Sequence, residues 1–228
     1  MQIFTLSISY PVSSEDLQDY FLASSIHRRR RAETYLKDED RARCLAAGWL
    51  LRQALSIRLA TDEDLNIEEA VTHHGQPYLM NFSRLRISIA HSGPYIVCAI
   101  AEGVEGVEGT EGVGVDVEKI LASQVEELPS FILSESELAR YHLLPAPQRR
   151  SWLSQAWTVK EAYLKARGLG FLLDPRSFDF TQLPESWQVW RQTLPGDYYL
   201  AGCWQGDAAC RVTPISMRPE DSFAMGYP

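Results

Sequence analysis

Cysteine is scarce in this sequence. The four residues, Cys44, Cys98, Cys203 and Cys210, contain no Cys-x-x-Cys pair. With 45% hydrophobic residues there is enough apolar material for a core, so no disulfide framework is needed to explain stability. Cys44 and Cys98 sit among apolar neighbours, as buried thiols do, which fits a reducing cytoplasm. Positive charge is also short. Twenty-two Lys and Arg against thirty Asp and Glu leave a net charge of −8. That excludes a general nucleic-acid binder, which needs a basic footprint on phosphates. Long apolar runs are missing as well, and no stretch approaches the ~18 residues that would span a membrane. The first eleven residues lack the basic start and apolar run of a signal peptide and alternate like a strand. The expected location is the cytoplasm.

Against this background one basic run stands out, His27-Arg28-Arg29-Arg30-Arg31. It reads either as a solvated helix face or as an anion site for phosphate groups. At ~100–200 residues per domain, 228 residues make one large domain or two small lobes. Helices are expected over 14–25, with Ser13 or Ser14 as cap, and over 38–60, where Leu45, Trp49, Leu51, Leu55 and Leu59 recur at helical spacing. Strands are expected over 71–80, 85–90 and 95–101, the last almost wholly apolar and therefore central. A Val-Glu-Gly repeat over 103–114 offers little to pack and reads as a turn or hinge. Beyond it come a strand over 113–118, a helix over 134–143 with the Ser134/Glu137 capping box, and a helix over 148–167 stopped by Gly168. Further strands are expected over 178–181, 187–193, 198–204 and 223–227. Helix and antiparallel sheet thus occur twice, predicting an α+β fold of two similar lobes, 1–102 and 113–228, joined through 103–112.

Two segments carry chemistry. In Gly114-Val115-Asp116-Val117-Glu118 the strand period puts Asp116 and Glu118 on one face. Adjacent carboxylates repel unless a cation sits between them, so this is either a solvent-facing surface or a cation site. In the helix from Trp157 to Gly168, Trp157, Glu161 and Lys165 form a stripe at i, i+4 and i+8. Glu161 and Lys165 read as an ordinary helix ion pair or as a third oxygen ligand with a neighbouring cation. Three carboxylates, Asp116, Glu118 and Glu161, suit Mg²⁺, which takes six oxygens.

The ordered pair GVDVE at 114–118 and WTVKEAYLKARG at 157–168, followed by Leu169-Gly170, resembles the larger, pseudodimeric class of phosphopantetheinyl transferases. The resemblance covers nearly the whole chain. It implies two lobes with pseudo-twofold symmetry, each with helices packed on an antiparallel sheet, and coenzyme A between them. The implied reaction moves phosphopantetheine from coenzyme A to a serine of an acyl, polyketide or peptidyl carrier protein, with Mg²⁺ on Asp116, Glu118 and Glu161. Glu161 and Lys165 are the implied catalytic groups. Arg28, Arg31, Arg43, Gln76, Pro77, His91, Ser92 and Lys160 are the implied coenzyme A contacts, and Glu137 matches a recurrent glutamate. A monomer, with no nucleic acid and no membrane, is expected. Two positions depart from the pattern. Gln76 replaces a basic residue before Pro77, and Ala90 replaces a serine before His91. The rival readings are a carrier-binding module without catalysis and a metal-dependent phosphoesterase.

Overall fold

The computed structural model of the chain describes residues 1–103, 112–121, 127–206 and 209–217. Alternation builds its first sheet. β1 (Gln2–Ser7) and β5 (Tyr95–Glu102) pair antiparallel, and β5 pairs antiparallel with β4 (Leu85–Ser92). Phe4, Leu6, Ile96, Cys98 and Ile100 turn to one side, against Leu50, Leu51, Ala54 and Leu55 of the long helix α3 (Asp38–Leu59). Leu85, Ile87 and Ile89 share that side, as their spacing predicts. Ile3, Val97 and Ala99 turn to the other side and meet Val113, Val115 and Val117 of β6 (Val113–Lys119) and Leu200 of β8 (Tyr198–Gln205). The second sheet runs β6-β8-β7, with β7 at Trp187–Leu194, and is antiparallel throughout. Its far side, Ala201 and Cys203, packs on α6 (Ala146–Arg167) through Ala156, Val159 and Ala162. Helices, sheet, sheet and helices therefore lie in four layers with an apolar core between each pair. The fold is mixed α+β.

Helix ends follow the caps written in the sequence. Ser13 caps α1 (Ser14–Ala23) by accepting from Asp16 N, and Ser25 caps α2 (Ile26–Glu33) by accepting from Arg28 N. After the short α4 (Leu128–Ile132), the expected capping box opens α5 (Glu135–Leu143). Gly168, at φ 65°, closes α6.

Two sequence expectations are corrected and one strand is added. Residues 71–80 are not one extended strand but part of a hairpin, β2 (Glu69–Val71) and β3 (Pro77–Leu79). Gly75 supplies the turn at φ 81°, a conformation that glycine adopts freely. Residues 178–181 form a turn, because Phe180 N donates to Glu137 Oε1 and Thr181 N to Asp179 Oδ1 rather than to a ladder. A strand not foreseen, β9 (Arg211–Ile215), returns to the first sheet and pairs parallel with β1 at its edge. It contains Pro214, which an edge tolerates and which hid it from a propensity reading. The Val-Glu-Gly repeat at 104–111 and the strand expected at 223–227 lie outside the described residues.

Candidate active site

Two glycines bring strand and helix together. A Cβ at Gly112 would stand 1.5 Å from Ala166 O, and one at Gly114 would stand 1.8 Å from Ala162 O. Only a bare backbone lies this flush on a helix that itself presents alanines. Asp116 and Glu118, next along β6, thereby reach Glu161 and Lys165 on α6. Lys165 Nζ donates to Asp116 Oδ1 at 2.6 Å. Gly114→Ala is accordingly expected to cost ~3 kcal/mol or more, because the clash is with backbone and cannot be relieved by a rotamer. Chemical denaturation checks this, and stability within error of the parent would show that the two elements do not touch.

These four residues line one wall of a cleft of about 440 Å³. Arg28, Arg31, Gln76, Pro77 and His91 line the rest of it, together with Trp157, Tyr35, His74 and Ser88. Three carboxylates share one ammonium here. Burial pushes the Glu118 carboxyl up to about 7, with the Asp116 charge adding to it and Lys165 opposing. Burial likewise raises Asp116 and Glu161 against the pull of Lys165. Burial opposes the charge on Lys165, but Asp116, Glu161 and Glu118 outweigh it and hold its pKa above the ordinary value. Asp116 Oδ2 and Glu161 Oε1 are buried with no hydrogen-bond partner. Among the described residues no three His, Cys, Asp or Glu side chains stand close enough to hold a metal as they are. The two orphaned oxygens and the excess of carboxylates nevertheless fit a hard cation, whose charge would compensate what one lysine cannot.

The remaining expected contacts divide. Ser92 donates to Glu118 Oε2 at 3.4 Å, so it bears on the acid group. Arg28 lines the cleft, but its guanidinium is bound to the buried Glu69. Arg31, three residues on, shares its side of α2 and is exposed, with no ion pair among the described residues. His91 is exposed, yet its imidazole is held down to about 4. Burial among the cleft walls comes first among the causes, then Arg43, Lys165 and Arg31. Because the ring keeps an open face, the cations are the firmer cause, and the ring is neutral at pH 7.

Three residues stand differently from expectation. Arg43 is not on the cleft lining. Its guanidinium reaches Asp40 Oδ1 at 2.5 Å, Tyr10 Oη at 3.2 Å and Gly93 O at 3.4 Å. Gln76 turns its amide to α6, donating to Lys165 O at 3.2 Å. Lys160 is no cleft residue at all. It is 0% exposed, paired with Glu137 at 2.7 Å, and donates to Pro175 O at 2.5 Å and Phe178 O at 2.7 Å. One residue along a helix is a rotation of about 100°, so Lys160 faces away when Glu161 faces the cleft. Glu69 and Ser88 were not foreseen, since their partners Arg28 and Val115 lie 41 and 27 residues away and no local spacing signals them.

A 4′-phosphopantetheinyl transferase superfamily profile matches residues 112–204. The chain is 25% identical over 178 residues to a 4′-phosphopantetheinyl transferase of Bacillus subtilis, covering 78% of this chain and 75% of that one. A shorter match, 39% over 64 residues, links 26% of this chain to 54% of a holo-(acyl-carrier-protein) synthase of Streptococcus pyogenes. The chain is also 30% identical over 176 residues to 4′-phosphopantetheinyl transferase HetI of Nostoc sp., covering 75% of this chain and 69% of that protein. With identity of that degree running through most of both sequences, the chain belongs to the 4′-phosphopantetheinyl transferase superfamily and is an enzyme of that transferase class.

Proposed function

We propose that this enzyme moves the 4′-phosphopantetheine arm of coenzyme A to a serine of an acyl, polyketide or peptidyl carrier protein and releases adenosine 3′,5′-bisphosphate. The observation that carries the reading is one cleft lined both by Glu161, Asp116, Glu118 and Lys165 and by Arg28, Arg31 and His91. In the reaction the serine oxygen attacks the β-phosphorus, the phosphoanhydride bond to the α-phosphate breaks, and the serine proton leaves. Asp116, Glu118 and Glu161 would hold Mg²⁺, which would neutralise the diphosphate. Glu161, its carboxyl raised by burial, takes the serine proton directly or through water. Lys165 neutralises the charge that gathers on the leaving phosphate. Arg31 and the partly neutralised Arg28 hold phosphate away from that centre. His91 enters neutral and gives phosphate an N–H rather than a charge.

The carrier side is supported by a second cavity of about 490 Å³ that shares Glu118 and Trp157 with the first. Leu121, Leu128, Phe131 and Ile132 line it, and Phe131 is 64% exposed. An acidic chain would meet a carrier through such an apolar surface rather than by bulk charge. We read the helices on two facing sheets as two lobes, 1–102 and 113–228, related by a pseudo-twofold, with β9 of the second crossing over to pair with β1 of the first. Among the described residues no helix is long and apolar enough to cross a membrane. We place the enzyme in the cytoplasm as a monomer.

Incubation with coenzyme A, Mg²⁺ and a panel of apo carrier proteins, read by intact mass, tests the reading. The expected product is a carrier heavier by one phosphopantetheine, with adenosine 3′,5′-bisphosphate in the supernatant and no product after chelation. Carrier binding without consumption of coenzyme A would leave a non-catalytic module. Phosphate release without a carrier would indicate a phosphoesterase.

A further inference from the structure

The strand that carries Asp116 and Glu118 is an edge. β6 ends the second sheet, and β4 ends the first. In an antiparallel ladder alternate N–H groups point away from the partner strand, and at an edge these have no ladder acceptor. On β6 the N–H of Val115 is one of them. It is satisfied by a side chain of the other sheet, donating to Ser88 Oγ at 3.0 Å. Ser88 is buried, 4% exposed, and lines the cleft. The N–H next to Asp116 is therefore anchored across the seam between the sheets. Ser92, four residues beyond Ser88 on the same side of β4, reaches Glu118. The seam between β4 and β6 is thus held at the acid site by hydroxyls rather than by a backbone ladder.

We propose that Ser88 is a positioning residue for the transfer reaction, its hydroxyl fixing the edge of β6 through Val115 N–H so that the carboxylate of Asp116 stands opposite Lys165 and Glu161. The proposal rests on the function given above, but half of its test does not. Ser88 touches no reacting atom. It acts on the height of one strand. A shift of that strand changes the relation of Asp116 and Glu118 to the helix groups and leaves the Arg31 and His91 wall untouched. Loss of the hydroxyl therefore falls on kcat rather than on the KM for coenzyme A.

The test uses the full chain and the variants Ser88→Ala and Ser88→Thr, with coenzyme A, Mg²⁺ and an apo carrier protein that the parent modifies. Ser88→Ala is expected to lower kcat by about tenfold, the factor that one lost buried hydrogen bond corresponds to, with KM for coenzyme A within about twofold of the parent. Ser88→Thr, which keeps the acceptor, restores kcat. Wild-type kcat in Ser88→Ala overturns the proposal. So does a loss that Ser88→Thr shares while both stay folded, since it assigns the effect to packing. Amide hydrogen exchange on the parent, read without substrate, is independent of the reaction. Val115 N–H should be protected as strongly as the laddered amides of β8. Exchange at the rate of an open edge would overturn the proposal even if the transfer reaction were established, whereas protection with no transfer by the parent would refute the function and leave the seam intact.

Discussion

Lys165→Ala is expected to lower kcat for transfer by ~10²-fold or more and to change the KM for coenzyme A little. Lys165 is placed by three constraints at once. Its Nζ is on Asp116 Oδ1 at 2.6 Å, its carbonyl accepts from Gln76 Nε2 at 3.2 Å, and its helix is held to β6 by bare glycine. Asp116, Glu161 and Glu118 together keep it an ammonium against burial. A fixed charge beside the breaking phosphoanhydride bond meets little new negative charge in the ground state and much more as the leaving oxygen develops. Such an interaction appears in kcat, whereas one equal in both states appears in KM. Arg31→Ala supplies the contrast. Arg31 lines the same cleft from α2 rather than α6 and is exposed, so its loss should raise the KM for coenzyme A and spare kcat. Arg28→Ala is a poorer probe, because it would also strip Glu69 of its buried partner. Steady-state kinetics at saturating carrier, with direct binding of coenzyme A alongside, decide the matter. If Lys165→Ala weakens binding and leaves kcat intact, Lys165 is a phosphate anchor only.

The acid site was legible in the sequence because its parts are periodic. Strand parity puts Asp116 and Glu118 together and helical spacing puts Trp157, Glu161 and Lys165 in a stripe, but that the strand and the helix meet through the bare backbone at Gly112 and Gly114 is seen only in the fold. What could not be read was the partner of each basic residue. The run His27–Arg31 divides between two faces of α2. Arg28 and Arg31 turn to the cleft, while Arg29 lies over the Phe21 ring and Arg30 is exposed. Helical rotation alone separates these faces, but only the fold says which face is inside. Arg28 with Glu69 and Gln76 with Lys165 are separated by 41 and 89 residues, so nothing local marks them. Lys160 misled for a related reason. Its place in a motif suggested a ligand contact, whereas its full burial with Glu137 shows a bolt between α5, α6 and the turn at 175–180.

Replacing Glu118 by Gln, or Asp116 and Glu161 by Ala, is expected to reduce transfer by ~10³-fold or more, on the scale of several kcal/mol that a catalytic metal supplies. Glu118→Gln should not destabilise the metal-free protein in the way that ordinary buried deletions do, whereas Asp116→Ala also strips Lys165 of its partner. Glu118 makes the sign explicit. Its carboxyl rises from 4.5 to about 7 in the folded protein, through burial first and the Asp116 charge second. An acid raised on folding binds its proton more tightly in the native state. It therefore favours folding below pH 4.5, and that contribution is lost as pH climbs through about 7. At neutral pH and above the charge at Glu118 is a cost, on the order of 1 kcal/mol once its partial exposure is allowed for. Glu118→Gln removes the charge and keeps the shape. Its unfolding midpoint in metal-free buffer at pH 8 should equal or exceed that of the parent, and the advantage should vanish near pH 4. Loss of activity with gain of stability is what separates a group retained for chemistry from one retained for the fold. Thermal unfolding across pH, run beside turnover at low Mg²⁺, reads both. A Glu118→Gln protein that transfers at the parental rate at low Mg²⁺ removes Glu118 from the cation site. One that unfolds several degrees early at pH 8 makes it a structural carboxylate instead.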